Sequence, residues 1–120
     1  MPGAFTPTCS AQHALGFIQN AGDLEAEGVE AIACLSVNDA FVMGAWAKDQ
    51  NTGNTIDMLA NGSGELTKAM CVELNLSERG LGVRGRRFAL VVEDGVVKHL
   101  ALQADGELTT SSAEEVSKAL

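Results

Sequence analysis

The sequence predicts an α/β domain built on a mixed sheet, and three observations carry that expectation. Helix-like and strand-like stretches alternate along the chain, the strand-like runs are short and apolar, and an Asp-Gly pair between two β-rich runs marks a hairpin. The first element is a helix over 7–27. Thr6 is suited to its N-cap and Pro7 to its first position, where a missing N–H costs nothing. Leu15, Phe17, Ile18 and Leu24 supply its apolar side, Gly22 is expected to bend or divide it, and Gly28 to stop it. Residues 31–37, with Ile32 and Val37, read as a buried strand. Asp39 caps the next helix, whose apolar face is expected to include Phe41, Val42 and Trp46. A turn-rich stretch at 51–54 follows, then a strand over 56–60 and a short helix over 64–72. The runs 88–92 and 96–102 flank Glu93-Asp94-Gly95 as the two arms of the hairpin. Ser112 and Glu115 form a capping box opening the last helix. Repeats, low-complexity tracts and interdomain linkers are absent from the sequence, so residues 1–120 read as one domain.

Composition narrows the function. A chain of 120 residues with 46% hydrophobic content can build one core, and a net charge of −8 argues against nucleic acid or an anionic membrane surface as main partner. Its apolar runs fall short of the roughly 20 residues that span a bilayer. Residues 1–20 lack the basic-then-apolar pattern of a secretory signal. Three cysteines without paired metal-ligand spacing suggest neither a zinc site nor a disulfide scaffold. The expectation is a protein of a reducing compartment, the cytoplasm first, without metal or organic cofactor.

Two features carry chemistry. The helix start at Thr6-Pro7 puts Cys9 inside the first turn, where unpaired backbone N–H groups and the positive end of the helix dipole favour a thiolate. An ordinary helix start with Cys9 as a small buried residue fits the same letters. In this acidic chain, Arg79, Arg84, Arg86 and Arg87 fall within nine positions. That positive island fits a stabiliser of developing negative charge, a phosphate site or a solvated basic loop. His13 lies four residues after Cys9, on the same helix face, and reads as structural or supporting. His99 reads as bland.

The pattern P-x-x-x-T-x-x-C (Pro2, Thr6, Cys9) resembles the active-site signature of peroxiredoxins. The longer string PGAFTPTCSAQH resembles their atypical type II group, and the similarity continues through ACLSVNDAFV at 33–42, GLGVRGRRF at 80–88 and the 91–98 hairpin. The resemblance implies a thioredoxin-like fold with helices flanking a mixed central sheet, and a thiol peroxidase acting on hydrogen peroxide and alkyl hydroperoxides. By motif match, Cys9 is the peroxidatic cysteine, Thr6 contacts peroxide and sulfur, and Arg87 is the catalytic arginine. Pro2 shields the sulfur, Gly3 permits a close backbone approach, and Arg84 supports. Arg86 is expected to be solvated. Cys34, 25 residues downstream of Cys9, matches a cysteine of type II members. It reads either as a resolving cysteine or as a small core residue. Cys71 reads as helix packing. At 108–111 a threonine stands where the mammalian relative carries its resolving cysteine, which points to recycling by glutaredoxin with glutathione, or by thioredoxin. The family also implies a homodimer, to which the Phe41 and Trp46 region is expected to contribute. Type II members carry strands before the Pro2 motif, so the chain reads as N-terminally truncated or partial, with a compartment that a preceding targeting segment would change to an organelle. A peroxide-sensing relay and an inactive fragment or interaction module are the rival readings. A disulfide reductase is disfavoured by the lack of C-x-x-C.

Overall fold

The computed structural model describes residues 1–104 and 107–120. Helical backbone begins at Pro7, widens into a π-helical segment over Cys9–Ala14, and continues as α1 (Leu15–Ala26). The bend expected at Gly22 is therefore corrected. Gly22 is exposed within an unbroken helix with open space beside it, and the irregular winding lies upstream, at the cysteine. After β1 (Ala33–Ser36) comes α2 (Ala40–Gln50), opened by Asp39, whose carboxylate accepts from the Val42 N–H at 2.8 Å. Such a cap contributes about 1 kcal/mol. Then follow β2 (Asp57–Ala60), α3 (Glu65–Ala69), β3 (Glu73–Leu76), a 3-10 turn (Ser77–Arg79), β4 (Gly82–Gly85), β5 (Phe88–Glu93), β6 (Val96–Leu102) and α4 (Ala113–Lys118). The Ser112 hydroxyl caps α4 by accepting from Glu115 N–H, while the Glu115 carboxylate turns outward to Lys118.

Where one mixed central sheet was expected, the described strands pair as three separate two-stranded ladders: β1 parallel to β2, and β3/β4 and β5/β6 antiparallel. In the last, Asp94 (φ 51°) and Gly95 (φ 75°) make the hairpin turn expected of an Asp-Gly pair. The β3/β4 hairpin was not anticipated. Gly80, Gly82 and Gly85 read as loop, and only pairing with Glu73–Leu76, whose side chains alternate between exposed and half-buried, makes the segment a strand.

Met1, Ala4, Cys9, Ala14, Cys34, Met43, Trp46 and Ile56 form the main apolar cluster. Trp46, fully buried, donates from its indole to Ser10 Oγ at 3.0 Å and so ties α2 to the π-helical turn. Phe41 departs from expectation: it is 89% exposed, because position 41 of α2 faces away from the cluster that Trp46 and Met43 enter.

Candidate active site

Cys9 is 1% exposed, in the first turns of the helix that starts at Pro7. Both terminal nitrogens of Arg87, Nη1 and Nη2, lie 3.5 Å from its Sγ. Backbone pairing brings the arginine there. Arg86 N–H bonds Val72 O at the end of the β3/β4 ladder, and Arg87 O accepts from Gln103 N–H at the end of the β5/β6 ladder. Arg87 is thus fixed where one ladder hands over to the next, and its guanidinium, itself buried, projects onto the sulfur. Its Nη1 also lies 3.1 Å from His13 Nδ1. His13 does share the Cys9 face, as its spacing predicts, and both meet one guanidinium.

The segment before the helix is held from the other side. Ala4 N–H and Ser36 Oγ–H both donate to Asn38 Oδ1, at 2.9 and 2.7 Å, which pins the Pro2–Phe5 turn to the exit of β1. Phe5 occupies the left-handed region (φ 60°) within that turn. A Cβ on Gly3 would come within 2.8 Å of Arg84 Nη1 and 3.2 Å of Thr6 Cγ2, so the close approach expected there is real and its neighbour is Arg84. Arg84 lies on β4, not in a loop, and donates from Nε to Leu81 O at 2.8 Å. Pro2 is half-buried at the start of the turn. Thr6 corrects one expectation. Its hydroxyl donates to Gly3 O at 2.7 Å instead of accepting from the helix, and only its carbonyl acts as a cap, accepting from Ser10 N–H.

Cys9, Arg87 and His13 are thus brought into contact, with Pro2, Gly3 and Thr6 forming the adjoining turn and Arg84 of β4 lying beside Gly3. Cys34 sits apart on β1, buried in the same apolar cluster, with its thiol directed at Met1 Sδ (3.6 Å). Burial pushes that thiol up to about 11. Cys71 is exposed, not packed, because it occupies the left-handed position just past α3 (φ 56°). Arg86 is half-buried, not solvated, and donates to Gln103 O at 2.8 Å. Two residues of the site escaped sequence reasoning: Gln103 and Ser111, both buried, the latter accepting from His13 through its carbonyl at 2.9 Å. Their only signal is polarity, a glutamine ending a strand-like run and a serine in a turn-rich stretch, which any surface loop shares.

A buried cysteine at a helix start, contacted by a buried arginine on a thioredoxin-like frame, defines the class. The sequence profile described as Redoxin matches residues 1–117, and the chain belongs to that family. Within it the kin are type II peroxiredoxins. The chain is 58% identical over 123 residues to peroxiredoxin-2E-2, chloroplastic, of Oryza sativa subsp. japonica, covering 100% of itself and 55% of that protein. It is 49% identical to peroxiredoxin-2B of Arabidopsis thaliana, covering 100% of itself and 74% of the relative. Among solved structures, Prx3 from Vibrio vulnificus in complex with H2O2 superposes with a TM-score of 0.95 at 44% identity, over 99% of this chain and 73% of that one. The chain spans 55% and 52% of the lengths of the two chloroplastic relatives. No helix among the described residues is long and apolar enough to cross a membrane.

Proposed function

We propose that the chain is a thiol peroxidase in which Cys9 reduces hydrogen peroxide or an alkyl hydroperoxide. One observation carries this reading: two nitrogens of one buried guanidinium stand at equal distance from the Cys9 sulfur. The thiolate attacks the terminal peroxide oxygen, an S–O bond forms as the O–O bond breaks, and the leaving oxygen departs as water or an alcohol after taking up a proton. Cys9 is left as a sulfenic acid. Negative charge moves from sulfur to the leaving oxygen during this step. A cation that cannot lose its proton and presents a fork of N–H donors is suited to follow it. The Thr6 hydroxyl, with its hydrogen given to Gly3 O, keeps its lone pairs for a peroxide O–H. Pro2 and Gly3 shape the turn through which a small peroxide reaches a sulfur otherwise shut from water.

The sulfenic acid then condenses with an external thiol, releasing water and forming a mixed disulfide, and a second thiol restores Cys9. Glutathione with glutaredoxin, or thioredoxin, fits that role, in a reducing compartment such as the cytoplasm. Burial of Cys34 favours this route over an internal disulfide, since a thiol raised to about 11 supplies almost no attacking thiolate at neutral pH. Residues 1–120 act as one such domain. Phe41, displayed on α2, supports the homodimer surface the resemblance implies.

Intact mass spectrometry after one equivalent of hydrogen peroxide, with and without dimedone, tests the reading on wild type, Cys9→Ser and Cys34→Ser. A rapid dimedone adduct that disappears only in Cys9→Ser is expected. A disulfide requiring both Cys9 and Cys34 would transfer resolution to Cys34, and no fast Cys9-dependent change would sink the peroxidase reading.

A further inference from the structure

Arg87 donates to few partners. Its two contacts to Sγ are long, and its shortest side-chain contact is the one to His13 Nδ1 at 3.1 Å. Its Nε is buried without a partner among the described residues. What holds the guanidinium in place is therefore chiefly the imidazole. The chemistry of the partners dictates the imidazole's state. Arginine can only donate, so Nδ1 must carry the lone pair; the Ser111 carbonyl can only accept, so Nε2 must carry the hydrogen, 2.9 Å away. A second proton would set Nδ1–H against an arginine N–H. Burial keeps the ring neutral, at about 4, and Arg87 adds to that effect against the Ser111 bond. The ring of Phe17 packs edge-on against it, with centroids 5.6 Å apart.

Ser111 is itself held. Gln103 Oε1 accepts from Thr109 N–H (2.8 Å), Ser111 N–H (2.9 Å) and Ser111 Oγ–H (2.5 Å), while its Nε2 donates to Thr109 Oγ1 at 3.0 Å. The same Gln103 donates its backbone N–H to Arg87 O and accepts from the Arg86 side chain. One buried glutamine thus fixes Arg87 twice, directly at the backbone and, through Ser111 and His13, at the guanidinium.

We propose that His13 is a positioning residue for the Cys9 reaction: as the Nε2–H tautomer, anchored on the Ser111 carbonyl by the Gln103 clamp, it holds Arg87 against Cys9 Sγ. This rests on the peroxidase reading for its kinetic consequence but not for its geometry. Replacing His13 by phenylalanine removes the acceptor and leaves the guanidinium free to turn away. Asparagine, whose Oδ1 falls near the place of Nδ1, restores an acceptor.

The test pairs kinetics with a spectrum of the unmodified protein. Stopped-flow rates of Cys9 with hydrogen peroxide are measured for wild type, His13→Phe and His13→Asn, beside alkylation by iodoacetamide, which needs the sulfur but no cleavage of an O–O bond. His13→Phe should react with peroxide about tenfold more slowly or worse, the loss of one charge-assisted hydrogen bond, with alkylation changed far less. His13→Asn should recover most of the difference. Long-range ¹H–¹⁵N spectra of wild type near pH 7 should show the Nε2–H tautomer for His13. A wild-type peroxide rate in folded His13→Phe, equal loss in both reactions, or no recovery in His13→Asn would overturn the proposal. So would an Nδ1–H or doubly protonated ring in wild type, which decides the matter even if the variants fail to fold. A wild type inert to peroxide would overturn the peroxidase reading and with it the kinetic role of His13.

Discussion

Arg87 and Cys9 stand 78 positions apart in the chain, and the site exists because a single arginine spans that separation with a two-nitrogen fork. Lysine keeps the charge and loses the fork, so Arg87→Lys should slow the Cys9 reaction with peroxide by about 100-fold, the scale on which loss of an oriented donor to a developing oxyanion is felt. The fluorescence of Trp46, the only tryptophan, bonded to Ser10 beside the cysteine, provides the stopped-flow signal. At this scale the sequence was legible where residues stand in a recognisable motif. Pro2, Thr6, Cys9 and Arg87 are recognisable by their order, and Gly3 by the backbone approach it permits. Thr6 caps through its carbonyl and not its hydroxyl, because a threonine before a helix is equally able to accept from it or to donate backward, and the nearby Gly3 carbonyl decides for donation. Cys71 and Arg86 were misplaced because local letters do not tell which side of an element meets solvent.

Three helices end in the same way, and they show what an element's own letters can carry. Gly28 N–H bonds Glu25 O while Val29 N–H reaches Leu24 O; Asn51 and Thr52 repeat this on Lys48 and Ala47, and Cys71 and Val72 on Lys68 and Thr67. Each is the paired closure in which the residue past the helix turns left-handed, at φ 103°, 54° and 56°. Glycine enters that region freely and asparagine with some ease, so the first two ends were legible as a stop and a turn. Cysteine gives no such signal, and its Cβ is strained there. Cys71→Gly should therefore stabilise the protein by about 0.5–1 kcal/mol, read as a higher urea midpoint at unchanged m-value, with Cys71→Ala as the control that leaves the strain in place. Equal midpoints for all three proteins would mean that α3 tolerates the conformation without cost. At α2 the opposite applies: Asp39→Ala removes the acceptor of the Val42 N–H and should cost about 1 kcal/mol in the same experiment.

For the whole molecule, two buried titrating groups bound the pH range of greatest stability from opposite sides. His13, lowered from 6.5 to about 4, stays neutral in the fold while the unfolded chain takes up a proton. Stability therefore falls as pH drops from 6.5 to 4, by about 3 kcal/mol from this residue. Cys34, raised from 9.0 to about 11, keeps its proton in the fold after the unfolded chain has lost it. Stability therefore falls again as pH rises from 9 to 11, by a similar figure of about 3 kcal/mol. Urea unfolding across pH 4 to 11 should show both limbs. His13→Asn should flatten the acid limb and Cys34→Ala the alkaline one, whatever either does to stability at pH 7. A Cys34→Ala profile as steep as wild type above pH 9 would assign that limb to other groups.

The helices and the strands other than β3 and β4, the caps at Asp39 and Ser112, the Asp-Gly hairpin and the Pro2–Cys9 motif were all legible in the sequence alone. Each depends on neighbours within a few positions, where backbone sterics and local hydrogen bonds act directly. The tertiary structure decided the rest. It separated the strands into three ladders, folded the glycine-containing 82–85 segment into β4 against Glu73–Leu76, turned Phe41 outward and Trp46 inward, and widened the helix at Cys9. It also joined Gln103, Ser111 and His13 behind Arg87. The physical reason is common to these cases: a buried polar group must find partners, and those partners lie wherever the packed chain brings donor and acceptor within about 3 Å, a distance that spacing along the sequence does not encode.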